Sequence, residues 1–273
     1  MSRGKKRLLQ AGNILAAIIT IVINALAVIL PLNGKTTQEL SDALPNLFVP
    51  AGITFSIWSI IYILWIVFAV YQARDLLKKE EVDMPFLSQI TVLFILSGVA
   101  NSGWIFLWHY QYVGLSLLVM ILLLCTLLAL YVRLRIGKST VTMKEKLCVH
   151  VPFSVYLGWI TVATIANVTA YLVSIHWDGL GIDSLTWTVI IIAVGTLLTY
   201  LMLALRKDIA FSSVVLWAFF GIWMKRMAQP DTMTNINVAT TTSIALVLIF
   251  AGILAVIGYQ LMRRNKQKTL QKT

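Results

Sequence analysis

Long apolar runs separated by short polar segments dominate this chain. We predict eight spans, at residues 11–32, 53–73, 86–108, 113–134, 147–174, 185–205, 209–224 and 238–262. A helix that crosses the hydrocarbon layer of a bilayer needs roughly 20 apolar residues, and most of these runs reach that length. The pattern therefore predicts an all-α, polytopic helical membrane protein. The run 209–224 is the shortest, at about 24 Å as a helix, and the sequence leaves open whether it crosses fully.

Composition supports this fold class. Hydrophobic residues make up 59% of the 273 residues and charged residues only 12%, against roughly 25% charged residues in a typical soluble domain. The first run follows a basic N-terminal segment, as in a signal peptide. It is longer than the roughly 7–15 apolar residues of a signal sequence, so we expect it to be retained as the first span.

The net charge of +11 is distributed as a topology signal. Nearly all lysines and arginines fall in alternate connections, on the same side as the two ends of the chain; the exceptions are Lys35, Lys225 and Arg226. Basic residues accumulate on the cytoplasmic side of membrane proteins, so we expect both termini in the cytoplasm. Because the basic residues punctuate apolar runs, we predict no nucleic-acid partner. The N-terminus lacks a transit-peptide pattern, and we expect a multi-pass protein of a bacterial cell membrane.

The predicted membrane interior is aromatic and amide-rich instead of charged. No acidic or basic residue falls in the middle of a predicted span, which argues against ion-coupled transport. On a helix, side chains three and four positions apart share a face. Four such stripes occur: Asn13, Thr20 and Asn24; Phe55, Trp58, Tyr62 and Trp65; Asn101, Trp104 and Trp108; and Pro152, Tyr156, Trp159, Ala163 and Asn167. An amide facing lipid is costly, so the stripes should turn toward each other.

Tryptophan and tyrosine also form belts at membrane interfaces, and amides also join packed helices. We assign the aromatic residues near the ends of spans to such a belt: Trp108, Tyr110, Tyr112, Trp177 and Trp187. Trp58 and Trp159 lie deeper, and for them pocket lining and simple packing stay equally open. A chamber walled by indoles and amides, without fixed charge, suits a flat, apolar, conjugated ligand.

Three motifs resemble those of the tryptophan-rich sensory protein (translocator protein) family. They are Pro45-Asn-Leu-Phe-Val-Pro50 leading into Phe55-Ser-Ile-Trp58-Ser-Ile-Ile-Tyr62, then Ala100-Asn101-Ser-Gly-Trp104-Ile-Phe106, and finally Pro152-Phe-Ser-Val-Tyr156-Leu-Gly-Trp159 continuing to Asn167. The motifs occur in family order and at family spacing. The resemblance covers roughly residues 8–174.

The resemblance implies a five-helix bundle whose cavity opens toward the first loop and binds porphyrins or other hydrophobic molecules, often in a homodimer. We accordingly divide the chain into a ligand-binding bundle, 1–174, and an additional three-helix membrane region with a basic tail, 175–273. The candidate ligand-binding residues are Trp58, Tyr62, Asn101, Trp104, Tyr156, Trp159 and Asn167. We predict no catalytic residue, no metal and no required cofactor; a porphyrin or haem-like molecule would be a ligand, and lipid surrounds the spans.

Two departures from the family pattern affect this expectation. The first loop lacks the tryptophan that the family commonly carries near its end, since the chain reads Val49-Pro50-Ala51-Gly52-Ile53. The chain also continues into three further spans. Binding by a receptor or sensor is the leading hypothesis. Transport of a hydrophobic solute and breakdown of a porphyrin are the alternatives. His109, His150 and His176 each fall near the end of a span, where we expect surface or interfacial roles over ligation of haem iron.

Overall fold

The computed structural model describes residues 1–30, 32–229 and 232–270, and the side chains of these residues except 264 and 267–270. Within these ranges the chain is helical, with no strand. Among the described residues, seven helices are long and apolar enough to cross a membrane, and an eighth, Leu93–His109, is apolar but shorter. The prediction of a polytopic, all-α membrane protein is confirmed.

We number the α-helices in chain order. They are α1 (Arg3–Ile29), α2 (Thr37–Asp42), α3 (Ile57–Gln72), α4 (Pro85–Ile90), α5 (Leu93–His109), α6 (Val113–Arg133), α7 (Met143–Glu145), α8 (Val151–Ser174), α9 (Ser184–Arg206), α10 (Ile209–Met227) and α11 (Met233–Leu270). A 3₁₀ segment, Gly52–Ser56, leads into α3, and a π-helical segment, Lys146–His150, joins α7 to α8. The membrane span that contains α8 therefore runs continuously over Met143–Ser174.

The third predicted span is broken in the structure. Where the apolar run predicts one helix over 86–108, α4 ends at Ile90 and α5 begins at Leu93. Thr91 between them has φ 50°, a left-handed conformation that no helix continues through. The remaining helix α5 has 17 residues, about 25 Å of rise, which explains why it is shorter than the other spans.

The seventh predicted span is a complete helix. It runs over Ile209–Met227, three residues beyond the predicted end at Met224, and is long and apolar enough to span. The extension brings Lys225 and Arg226 into its last turn. Two basic residues that the sequence assigns to a loop are therefore helical.

Small residues allow close contact between several helices. A side-chain carbon added at Gly98 would come within 2.8 Å of Thr20 Oγ1, so α5 lies directly on α1. One added at Gly158 would come within 3.0 Å of the Phe211 carbonyl oxygen, so α8 lies directly on α10. Gly98 thus serves packing inside the chain. A homodimer stays a prediction.

The surface of the bundle is apolar. Large hydrophobic side chains such as Val99, Leu118 and Leu197 are more than half exposed along the spans. Polar residues such as Asn13, Asn24, Asn101 and Asn167 are buried between the helices instead. This arrangement places lipid-compatible groups outside and hydrogen-bonding groups inside, as a membrane protein requires.

An ion pair ties α1 to the segment after α3 at the end of the bundle where α1 begins, which we call the proximal end. The Lys6 ammonium pairs with the buried Asp75 carboxylate. Asp75 also accepts hydrogen bonds from Gln10 Nε2 at 2.7 Å and the Val82 N–H at 2.8 Å. Burial raises the pKa of the Asp75 carboxyl, but the hydrogen bonds, led by that from Lys6, outweigh burial and lower the pKa to about 2.

The predicted division at residue 174 falls at the last residue of α8. Helix α10 lies beyond this point in the sequence, yet it packs against α8, and its Phe219 meets Phe48 of the first loop with ring centroids 6.5 Å apart. The two-part organisation itself stays a prediction. Its consequence for the ligand site is that residues after 174 reach the first loop.

Candidate functional site

The aromatic stripe of α3 faces α8. The Trp58 ring stacks on Tyr62 with centroids 5.8 Å apart and meets Trp159 edge-on at 6.1 Å. Trp65 lies one turn beyond Tyr62 on α3, and its ring centroid is 4.8 Å from that of Tyr156. The aromatic residues are three or four positions apart on α3 and three apart on α8, so each set lies on one face of its helix. These two faces meet in one contact, which we call the aromatic seam.

Amide side chains connect α1, α5 and α8 behind the seam. Asn24 Nδ2 donates to Asn101 Oδ1 at 2.7 Å, and Asn101 Nδ2 donates to the Tyr156 hydroxyl at 3.2 Å. All three side chains are buried. In a low-dielectric interior such a chain of hydrogen bonds fixes the rotation of each helix relative to its neighbours.

A second polar connection joins α5, α6 and α8. The Trp104 indole N–H donates to Asn167 Oδ1 at 2.9 Å, and Asn167 Nδ2 donates to Ser116 Oγ at 3.2 Å. Trp104 also stacks on Trp108, with centroids 5.7 Å apart and planes 18° from parallel. The two indoles on α5 therefore form a flat wall held in place by Asn167.

A cavity lies between this indole wall and the aromatic seam, roofed by α2 and the first loop. Its lining is Thr37, Ser41, Phe48, Pro50, Phe55, Trp58, Trp104, Trp108, Trp159, Val162, Ala163, Ala166, Asn167, Ala218 and Ile222. No side chain in this lining carries a charge. The space that the centre of a water-sized molecule can reach is about 50 Å³, so the cavity is narrow in this conformation.

Trp159 has a special position on the wall. It is 4% exposed, and its indole nitrogen has no hydrogen-bond partner. A buried, unpaired N–H costs free energy that an acceptor on a bound molecule can recover. The indole N–H of Trp159 is therefore an unpaired donor on a residue that lines the cavity.

The structure separates the seven predicted site residues into two groups. Trp58, Trp104, Trp159 and Asn167 line the cavity. The other three, Tyr62, Asn101 and Tyr156, lie behind it, where they support the lining residues through stacking and hydrogen bonds. Whether the lining residues bind a ligand stays a prediction.

The cavity has lining residues that the sequence did not indicate. Trp108 is one of them: the sequence assigns it to the interfacial belt, but it is buried and stacks inside the cavity on Trp104. Ala218 and Ile222 of α10 are others. They are ordinary apolar residues of a span, and no polar or aromatic periodicity distinguishes them. Tyr110 and Tyr112 are exposed near the end of α5, as residues of a belt would be.

Helix α10 also holds the first loop over the cavity. The Ala51 N–H donates to the Gly221 carbonyl at 2.9 Å, and the Trp217 indole N–H donates to the Thr54 carbonyl at 3.0 Å. A side-chain carbon at Gly221 would lie only 1.8 Å from Thr54 Oγ1, so the absence of a side chain there allows the contact. A helix that follows residue 174 in the sequence thus positions the roof of the cavity.

Two of the three histidines are buried. His109 is fully buried, with Nε2 3.0 Å from Thr37 Oγ1 and Nδ1 3.2 Å from the Leu32 carbonyl oxygen. His150 is buried as well. Burial excludes a surface position for both, whereas His176 is exposed, as the expectation of a surface role requires. His109 instead connects α5 to α2 and the loop before it. In the described ranges, no three or more histidine, cysteine, aspartate or glutamate side chains cluster in a way that could hold a metal ion.

Comparison with known proteins supports the family resemblance that the sequence motifs indicate. The family model described as TSPO-like protein matches residues 9–272, which is nearly the whole chain and includes α9, α10 and α11. No curated protein and no solved structure matches the chain. Since the match extends over far more than half of the sequence, the chain belongs to the TSPO-like protein family.

Proposed function

We propose that this multi-pass membrane protein is a receptor or sensor that binds a tetrapyrrole, or a similar planar hydrophobic molecule, in the cavity between α3, α5, α8 and α10. The observation that carries the proposal is the unpaired indole N–H of Trp159 on a wall that also includes Trp58, Trp104 and Trp108. Flat conjugated rings gain from stacking on indoles and from apolar burial, and ring nitrogens or carbonyls can accept from an N–H.

The uncharged lining supports this ligand class. The polar groups at the cavity come from Thr37, Ser41, Asn167 and the indoles. A compact ion would lose its hydration there without gaining a counter-charge, whereas an apolar ring system would lose little. The cavity therefore favours ligands whose charges, if any, can remain at the mouth.

Binding requires the cavity to widen. A space of about 50 Å³ holds no more than a few water-sized molecules, so a tetrapyrrole can enter only if part of the wall moves. The first loop contributes Phe48 and Pro50 to that wall, and loops move more readily than packed helices. If only a fraction of the molecules is open before the ligand binds, the apparent affinity for the ligand is reduced in proportion to that fraction. Opening also offers a physical basis for sensing, because the ligand would favour the open loop.

The distribution of basic residues supports an orientation with both termini in the cytoplasm of a bacterial cell. The proximal end carries Arg3, Lys5, Lys6 and Arg7 at the N-terminus, and the end of α11 is also rich in lysine and arginine. The first loop and the mouth of the cavity would then face outward. The protein requires no cofactor in this proposal, and the family resemblance favours a homodimer.

Titration with protoporphyrin IX in detergent tests the proposal, with the porphyrin absorption band as the signal. Trp58→Phe and Trp159→Phe should each weaken binding about tenfold, because each removes an indole surface and Trp159→Phe also removes the free donor. Trp223→Phe is the matched control: Trp223 stacks on Phe220 of the same helix and is not in the cavity lining.

Identical titration curves for all three variants and the parent would remove the cavity from consideration. Transport and porphyrin breakdown remain the alternatives. A change of the bound pigment's spectrum with time that depends on Trp58 or Trp159 would favour breakdown. Flux of the porphyrin into proteoliposomes would favour transport.

A further inference from the structure

A second, larger cleft lies at the distal end of the bundle, opposite the proximal end. It separates the last turns of α8 from the first turns of α9, and the end of α10 closes its back. Its volume is about 1250 Å³. Apolar side chains of α8 and α9 form much of its walls: Ile165, Val168, Leu172, Val173 and Ile191. It shares only Ser41 and Phe48 with the aromatic cavity and is otherwise separate from it.

The cleft contains a buried guanidinium group that forms no ion pair with any described residue. Arg226 is 6% exposed; one terminal nitrogen donates to Asn235 Oδ1 at 3.1 Å, and its Nε has no partner. The ion pairs found in the described ranges are Arg3–Glu81, Lys6–Asp75 and Lys225–Asp42, and none includes Arg226. A buried charge that lacks an opposite charge is strongly destabilising.

The carboxylates that face the cleft are engaged elsewhere. Asp42 pairs with Lys225. Asp178 accepts from the Leu180 N–H, and Asp183 accepts from both the N–H and the hydroxyl of Thr186 at the start of α9. These contacts neutralise the neighbouring lysine and stabilise two turns. Asp42 is close enough to attract the Arg226 guanidinium, but it forms its ion pair with Lys225, so Arg226 has no carboxylate of its own in the cleft.

Two tryptophans mark the depth of the cleft in the membrane. Trp177 and Trp187 both line it, with ring centroids 5.3 Å apart, and the Trp187 indole N–H donates to the Gly179 carbonyl at 2.8 Å. Paired tryptophans at the ends of spans are typical of the headgroup region of a bilayer. The apolar walls below them therefore lie at the level of acyl chains, and Arg226 lies where a headgroup could reach it.

We propose that this cleft binds an anionic phospholipid, with its phosphate on Arg226 and its acyl chains along the walls formed by α8 and α9. A phosphate oxygen can accept from the free Nε and from the remaining terminal N–H groups in the fork geometry that guanidinium groups favour. A membrane lipid is favoured over a soluble anion because the walls are apolar and belong to spanning helices. The site is independent of the proposed tetrapyrrole cavity.

The test uses the full chain in nanodiscs of phosphatidylcholine with or without phosphatidylglycerol. Native mass spectrometry counts retained lipid, and the thermal midpoint gives a second measurement. We expect phosphatidylglycerol to be retained over phosphatidylcholine and to raise the midpoint. Arg226→Gln should reduce the preference about tenfold, because it removes a charge-assisted contact. Lys35→Gln is the control, since it removes an exposed positive charge from the same end of the molecule.

A second variant covers the case in which Arg226→Gln does not fold. Val168→Trp keeps the charge of Arg226 and fills the space beside the wall of the cleft, so it should also abolish the preference for phosphatidylglycerol.

Asp231 lies outside the described residues. The variant Asp231→Asn tests whether its carboxylate is the counter-ion of Arg226. We expect no change; stronger lipid retention in this variant would show that Asp231 neutralises Arg226 and would contradict the proposal.

Three further results would overturn the lipid site. Equal retention of the two lipids by the parent protein would remove its basis. Equal losses in Arg226→Gln and Lys35→Gln would indicate general attraction of anionic lipid to a basic end of the bundle. Stabilisation by inorganic phosphate that equals the effect of phosphatidylglycerol would assign the cleft to a soluble anion.

Discussion

The indole N–H of Trp104 meets Oδ1 of Asn167 at 2.9 Å, so a single hydrogen bond links the flat wall on α5 to the central helix α8. Both side chains are buried, and both border the aromatic cavity. The contact therefore has two effects. It stabilises the packing of α5 on α8, and it fixes the angle of the ring on which a planar ligand would stack.

Asn167→Ala should destabilise the protein by about 1–3 kcal/mol, because it leaves the Trp104 N–H without its acceptor and removes the N–H that donates to Ser116 Oγ. The measurement is the unfolding midpoint in detergent, followed by intrinsic fluorescence. Thr164→Ala is the control, because the Thr164 hydroxyl bonds only to the Ile160 carbonyl of its own helix. Equal midpoints for the two variants would show that the link between α5 and α8 contributes little.

Gly221→Ala should lower the thermal midpoint and loosen the first loop. The added carbon would lie 1.8 Å from Thr54 Oγ1, so either the loop or α10 must move, and overpacking of this kind costs about 1–3 kcal/mol. Gly258→Ala is the control: nothing lies within 4 Å of a carbon added there, and alanine favours a helix. Limited proteolysis would report the loop directly. Unchanged cleavage near residues 45–51 would contradict this role of α10.

The Asp75 carboxyl should make the free energy of unfolding depend on pH. Its pKa is lowered in the folded protein to about 2, from roughly 3.9 in an unfolded chain. A lowered pKa in the folded state stabilises the protein above the unfolded value, and this contribution is lost as pH falls from about 4 toward 2. Asp75→Asn should therefore be clearly less stable than the parent at pH 7, and the difference should shrink over that range.

Glu81→Gln is the control for Asp75→Asn. Glu81 pairs with Arg3 on the surface of the same end, where both side chains are nearly half exposed, and surface pairs contribute little. Chemical denaturation at several pH values gives the comparison. A stability gap between parent and Asp75→Asn that stays constant from pH 7 to pH 2 would assign the effect to packing and not to the charge.

The sequence predicts the spans and the direction of their polar faces well, because both follow from local periodicity. Asn24, Asn101 and Asn167 are buried as the cost of amides in lipid requires. The break at Thr91 could not be predicted, since a threonine at positive φ is set by surrounding packing and has no local signal. The sequence has Ser88, Gln89 and Thr91 at that point, and polar residues of this kind also occur inside unbroken spans.

The site is predicted less completely, because its composition depends on tertiary contacts. Trp108 lies near the end of a span, where sequence cannot distinguish an interfacial indole from one that turns inward to stack on Trp104. The contribution of α10 depends on Gly221, whose contact with Thr54 spans more than 160 residues of sequence. Arg226 was assigned to a loop because helix ends are poorly defined by hydrophobicity alone.

Ala163→Phe tests the cavity itself without removing any group that could bind. Ala163 is on the cavity wall one turn beyond Trp159, and a phenyl ring there would occupy the narrow space of about 50 Å³ beside the indoles. We expect protoporphyrin binding to fall at least tenfold, while the thermal midpoint changes little because the ring enters existing space. Leu197→Phe is the control, since Leu197 is exposed on the lipid-facing surface of α9. If Ala163→Phe folds with a parental midpoint and binds protoporphyrin as the parent does, the ligand must lie elsewhere, and the unpaired Trp159 N–H needs another explanation.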